Sequence, residues 1–201
     1  IKLIKYNFRI QKTNDPTKWI KIIIHHTGKN KKIQQIIDLH VNKNHWSSIG
    51  YHFMISKRGT IYYSRELSHA GAHTFGYNKN SIGIALFGNF DEIEPSEKQI
   101  KSLNKLVETL CNEYEIKNIF GHNEAIYKKI KDRNWRVNLP DLNPIKIEDK
   151  LKYEEFLKEV TTKILEKDAS DSSVSLLKKL KSCPGFNMYS HVCKLKKKFL
   201  K

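Results

Sequence analysis

The 201-residue chain has little cysteine, proline and methionine, few arginines among its many basic residues, and no long apolar run. Three cysteines, Cys111, Cys183 and Cys193, are too few and odd in number for a disulfide framework, and a chain this long buries enough core to do without one. At most one pair can form, so at least one thiol has another task. No segment approaches the roughly 18 apolar residues of a membrane span, and no charged-then-apolar signal segment opens the chain. The first residue is Ile rather than Met, which leaves room for a removed leader. The formal charge is +16, yet only Arg9, Arg58, Arg65, Arg133 and Arg136 carry guanidinium groups. Arginine is the main side chain for forking onto phosphate and reading bases, so its scarcity argues against nucleic acid as the natural partner. The abundance of Lys, Ile and Asn fits a compositional bias, and an anionic surface accounts for the charge equally well.

What is present alternates between strand and helix patterns. "KWIKIIIHH" (18–26) is a β-branched apolar run, the mark of a buried strand. "KKIQQIIDLHV" (31–41) places Ile33, Ile36, Ile37 and Val41 on a helical stripe. "IGYHFMISKRGTIYYS" (49–64) reads as a hairpin around Lys57, Arg58 and Gly59, and "SIGIALFGNF" (81–90) as another buried strand closed by Gly88. Ser96 and Gln99 form a capping-box pattern ahead of a helix with Ile100, Leu103, Leu106, Val107, Leu110, Cys111 and Tyr114 on one face. That spacing makes Cys111 a small core residue. A short strand, "KNIFGH" (117–122), follows.

Beyond Ala125 the character changes. Residues 126–180 hold the two-proline loop "NLPDLNP", a charged helix near 147–167 with Tyr153, Phe156, Leu157, Val160 and Ile164 as its stripe, and a polar linker, "DASDSSVS". From 176 onward there are eight lysines and no acid, and Met188, Val192, Leu195 and Phe199 outline a last amphipathic helix at about 187–200.

The chemistry-bearing residues fall at strand ends. His25 and His26 end the first buried strand and His122 ends the last, so neighbouring strands would bring two histidines together. With Cys183 at a Pro-Gly corner as third ligand, two His and one Cys would leave the fourth tetrahedral position of zinc to water, as catalytic sites do. On spacing alone this signal is weak, because nine histidines make chance pairings easy.

Five stretches raise it: "IIIHHTG", "IGYHFMISKRGTIY", "SHAGAHTFGYNKNSIGIALFGNF", "GHNEA" and "KSCPGFNMY". In this order they resemble the zinc-dependent N-acetylmuramoyl-L-alanine amidases, a superfamily that includes peptidoglycan recognition proteins and bacteriophage amidase-lysozymes. The likeness covers about residues 18–125 and 176–200. It implies an α/β fold with a central mixed sheet flanked by helices, a single domain over 1–201 with a partly helical insertion at about 126–180, and hydrolysis of the amide joining N-acetylmuramic acid to L-alanine. It also implies zinc, held by His25 rather than His26, by His122 and by Cys183, with the ion lowering the pKa of its bound water toward about 7 and polarising the scissile carbonyl. Tyr51 is implied as donor to the developing oxyanion, and Lys181 as the cation that balances its charge. His73, Thr74, Asn78 and Asn80 match a stretch that lines the substrate groove, and Tyr77 lies within it. His52, next to Tyr51 on a strand, should face the other way and be structural.

Two departures stand out. Where some members carry a proton-shuttling glutamate on the "SIGIE" strand, this chain has Ala85, which favours the Tyr51 and Lys181 arrangement. Cys183 lies 61 residues beyond His122, a far longer interval than the family pattern, and Asp132 stands as a rival third ligand. The expected partners are peptidoglycan or muramyl peptides, with anionic wall polymers a second candidate for the basic tail, bound by a monomer that is periplasmic, wall-associated or secreted, or else a cytoplasmic phage lysin. The competing expectations are a peptidoglycan-binding protein without catalysis and, more remotely, a nucleic-acid binder.

Overall fold

The computed structural model describes residues 3–5, 19–29, 32–125, 158, 161–162, 166 and 186–200. Six strands form one mixed sheet: β1 (Leu3–Lys5), β2 (Lys21–His26), β3 (Phe53–Ile55), β4 (Ile61–Tyr63), β5 (Ser81–Leu86) and β6 (Asn118–Gly121). Their order is β1-β4-β3-β5-β2-β6, with only the β3–β4 hairpin antiparallel. The apolar run at 18–26 thus becomes a strand with neighbours on both sides, which is why Ile22, Ile23 and Ile24 are all buried. β1 has no counterpart in the sequence patterns, because three residues are too short to show a period.

Alternation along each strand assigns the two faces. On β5, Ile82, Ile84 and Leu86 join Ile22, Ile24 and Ile119 in the main core, whereas Ala85 belongs to a second cluster with Ile36, Ile49, Met54 and Phe87. Helix α2 (Glu97–Glu113) covers the main core with Leu103, Leu106, Val107 and Leu110. The capping box is formed as its spacing predicts, Ser96 Oγ accepting from the Gln99 N–H at 3.2 Å. Ser96 also donates to the Lys57 carbonyl at 2.7 Å, and Ser102 to the Gly59 carbonyl at 2.7 Å, so the hairpin tip is tied to the start of α2. Gly59 has a φ of +82°, and a Cβ there would stand 2.8 Å from the Lys98 carbonyl oxygen, so conformation and close approach both select glycine. Cys111 is half-buried against this core, and both it and Cys193 are free thiols.

The last helix, α3 (Phe186–Phe199), buries Val192 and Leu195 on the same side. On the opposite side lies α1 (Ile33–Ile37), which continues as a π-helical turn through Asp38–Lys43 rather than as a uniform α-helix. The charged helix read near 147–167, the insertion loop and the polar linker lie outside the described residues, apart from the isolated positions above. No helix among the described residues is long and apolar enough to cross a membrane.

Candidate functional site

The parallel register of β2 and β6 places the first two candidate residues. Ile24 is paired with Gly121, so the next residues, His25 near the carboxyl end of β2 and His122 just past that of β6, come side by side. Their rings lie 4.7 Å apart, and His25 Nδ1 and His122 Nδ1 are separated by 2.9 Å. His26 goes to the other face, where its Nδ1 accepts the Phe90 N–H at 2.8 Å. Strand alternation therefore separates the two consecutive histidines without ambiguity.

Around His25 stand Tyr51, with ring centroids 5.0 Å away, and His73, also at 5.0 Å. His25 Nε2 meets His73 Nδ1 at 3.0 Å and Thr74 Oγ1 at 3.4 Å. Burial first, and then the neighbouring His122, His73 and His26, hold His25 well below the ordinary histidine pKa. His73 is lowered in the same way, by burial above all and then by His52. Burial thus favours the neutral form of His25 and of His73. Ala85 pairs in register with His25 and is fully buried, so no carboxylate enters the cluster from β5.

The loop carrying His73 and Thr74 is held by Asn78, whose Oδ1 accepts the N–H of both residues at 2.8 Å. The Asn78 Oδ1 is thus taken by the backbone. Asn80 accepts from Lys21 Nζ at 3.4 Å, at the start of β2 and so about 13 Å along the strand from His25. The structure brings His25, His122, Tyr51, His73 and Thr74 together, and it leaves Asn80 apart. Lys181, Cys183 and the rival ligand Asp132 lie outside the described residues.

Other side chains frame the cluster. Arg65, 5% exposed, donates through Nε to the Ala70 carbonyl at 2.6 Å and through Nη1 to Ser48 Oγ at 2.8 Å, joining the segment before Tyr51 to the loop before His73. His52 accepts the Gly83 N–H at Nδ1 and His40 accepts the Gly50 N–H, at 3.0 and 3.2 Å. On the far side Glu124 pairs with Lys196 and accepts the Gly121 N–H at 3.3 Å, so α3 is bound to the turn that carries His122. The contact between His25 and His73 was not legible as a metal-side arrangement in the sequence. Its only trace was the pair Gly71 and Gly83, whose missing side chains leave the space that the His73 ring fills. Among the described residues no group of three or more His, Cys, Asp or Glu side chains is arranged to hold a metal ion. His73 approaches His25 from the Nε2 edge and His122 from the Nδ1 edge, so the three rings do not converge on one point.

The N-acetylmuramoyl-L-alanine amidase family model (Amidase_2) matches residues 15–135, more than half of the chain. The chain belongs to the N-acetylmuramoyl-L-alanine amidase family. Within it, the sequence is 34% identical over 137 residues to peptidoglycan-recognition protein 2 of Holotrichia diomphalia, covering 64% of this chain and 68% of the relative. It is 33% identical over 106 residues to the endolysin of Escherichia phage T7, covering 50% of this chain and 70% of that one. Among solved structures, the N-acetylmuramoyl-L-alanine amidase LysC from Clostridium intestinale URNW superimposes with a TM-score of 0.56 at 30% identity, covering 80% of this chain and 97% of LysC. The chain spans between 40% and 70% of the length of the first curated relatives it matches. The α/β fold with a mixed sheet and flanking helices is thus the amidase fold that the sequence motifs implied.

Proposed function

We propose that this amidase-family chain is a catalyst that hydrolyses the amide between N-acetylmuramic acid and L-alanine in peptidoglycan, using a zinc ion held by His25, His122 and Cys183. The observation that carries the reading is the approach of the His25 and His122 Nδ1 atoms to 2.9 Å, with the His25 ring buried. Nitrogens at the ~2.0–2.1 Å of zinc ligation and a tetrahedral angle stand about 3.3 Å apart, so a small opening of this pair accommodates the ion. The neutral state favoured by burial is also the one that ligates. When bound, zinc would supply Lewis-acid polarisation of the scissile carbonyl and acidify a water. Tyr51, whose ring lies beside His25, would donate its hydroxyl to the carbonyl oxygen as that oxygen gains charge, and Lys181 would balance the charge from the segment before Cys183. His73 and Thr74 stand beside His25 on a loop stiffened by Asn78.

The test is release of new L-alanine amino termini from purified peptidoglycan by wild type and Cys183→Ala, with bound zinc measured in both. Loss of activity and of zinc in the variant supports the site. Unchanged activity moves the third ligand to Asp132. A second reading is favoured by the relative named as a recognition protein: a chain that binds peptidoglycan without cutting it. An inactive wild type that still binds muramyl peptides would establish it. Either reading places the protein at the bacterial wall, whether periplasmic, secreted or delivered as a lysin, and gives the basic face of α3 an anionic wall polymer as its partner. Strong salt-sensitive DNA binding would contradict both readings.

A further inference from the structure

We propose that His73 is a positioning residue that fixes the tautomer of His25, presenting the His25 Nδ1 lone pair to the metal position. This rests on the zinc reading of His25 and His122 given above. The hydrogen bonds supply the reasoning from one end. A carbonyl oxygen only accepts, so the 3.3 Å contact between His73 Nε2 and the Ser81 carbonyl places the His73 proton on Nε2. His73 Nδ1 is then an acceptor. Its one lone pair is shared between the Thr74 hydroxyl at 3.0 Å and His25 Nε2 at 3.0 Å, and a second lone pair, on His25 Nε2, would be repelled there, so His25 turns its Nε2–H toward it. With its proton held at Nε2, His25 has a bare Nδ1, and that is the atom 2.9 Å from His122 Nδ1. A main-chain carbonyl on β5 thereby dictates, through one intervening imidazole, which nitrogen of His25 is free to ligate.

The relay is built into the backbone. A Cβ on Gly71 would stand 2.3 Å from His73 Cδ2, and one on Gly83 2.5 Å from the same atom, so both glycines form a slot that fits only the ring edge. Asn78 fixes the loop from behind through the His73 and Thr74 N–H groups. A residue serving only to line a substrate groove has no need of an acceptor pointed at His25. Nor does it need a donor anchored inward on Ser81.

The experiment has two arms. In zinc-free wild-type protein, long-range nitrogen–proton NMR spectra of 15N-labelled histidines report the tautomer directly. The His25 proton is expected on Nε2, and finding it on Nδ1 overturns the proposal. In the second arm, zinc affinity is measured by chelator competition for wild type, His73→Phe and His73→Asn. Phe keeps a ring in the slot but removes the acceptor, and is expected to weaken zinc 10- to 100-fold, the usual effect of losing an outer partner of a ligating histidine. Asn restores an acceptor near the Nδ1 position and should recover most of that loss. Equal affinity in wild type and a folded His73→Phe overturns the proposal. A wild type that takes up no zinc defeats the zinc reading instead, and the tautomer arm still judges the relay.

Discussion

His52 gives a pH dependence that can be worked from the structure. The ring is fully buried, accepts the Gly83 N–H at Nδ1 (3.0 Å) and donates from Nε2 to the His69 carbonyl (3.0 Å). A second proton would have to go on Nδ1, where an N–H already points, and burial lowers the pKa to about 3, with Arg65 and His69 adding to the effect against the His69 hydrogen bond. Above the unfolded pKa of about 6.5 the ring is neutral in both states and contributes nothing to pH dependence. Below it the unfolded chain takes up a proton that the folded protein refuses. Stability therefore falls as pH drops from about 6.5 to about 3, and the slope disappears once the folded ring also protonates. Between pH 7 and pH 4.5 the loss from this one group is on the order of 2.7 kcal/mol, two pH units at about 1.36 kcal/mol each. The assay is urea unfolding at both pH values, in chelator so that metal does not contribute, for wild type and His52→Asn. The variant keeps an acceptor for Gly83 but cannot titrate, so its difference between the two pH values should be smaller by roughly that amount, although it starts about 1–3 kcal/mol lower for the lost His69 bond. The same loss of stability in both proteins would refute the reasoning.

Tyr51→Phe is expected to leave zinc affinity within a few-fold of wild type and to lower kcat by about 10²–10³, measured on purified peptidoglycan, because only the oxyanion donor is removed. Leu195→Ala, at the buried contact of α3, should cost about 2–5 kcal/mol in denaturant unfolding, whereas exposed Lys197→Ala should change it by less than about 0.5 kcal/mol. Gly83→Ala forces a methyl against His73, and should weaken zinc in chelator competition and destabilise the fold by about 1–3 kcal/mol.

The strands, the hairpin turn and the start of α2 were legible because each is declared by neighbours in sequence: β-branched runs, a Gly at a left-handed corner, and a Ser and Gln three residues apart. The meeting of His25 and His122 was legible as well, since both lie at strand ends and parallel neighbours align such ends. The short β1 was not, for it has too few residues to show alternation, and neither was the π turn after α1, which differs from an α-helix by one hydrogen-bond step. The motif around His73 marks it only as a groove residue. Its contact with His25 depends on a loop folding back over Gly83, a long-range event that no local pattern encodes. Asn78 and Asn80 are near neighbours within one motif, yet one braces the loop and the other ties down the far end of β2.

Strand parity explains how one sheet serves both stability and chemistry. Ile22 and Ile24 on β2, Ile82, Ile84 and Leu86 on β5, and Ile119 on β6 point to α2 and α3, where large side chains fill the core. The intervening positions on β5 are Gly83 and Ala85, the smallest side chains available, and they face the side where His25, His73 and Tyr51 gather. A larger residue at Gly83 would collide with the His73 ring. The bulky face can hold the strands in register because the opposite face is relieved of packing duty at just those positions. Histidine suits the second face for the same reason: it fills volume like an aromatic, yet satisfies buried backbone groups, as His40 and His52 do toward Gly50 and Gly83. Ring contacts run from His40 through Tyr51, His25 and His73 to His52, which also meets Trp19 of the main core. The rings of the proposed chemistry and those that close backbone hydrogen bonds thus form one network, and His52 is not turned away from it as alternation with Tyr51 implied. A substitution at His25 or His73 should disturb metal affinity, whereas an equal one on the isoleucine face should disturb stability first.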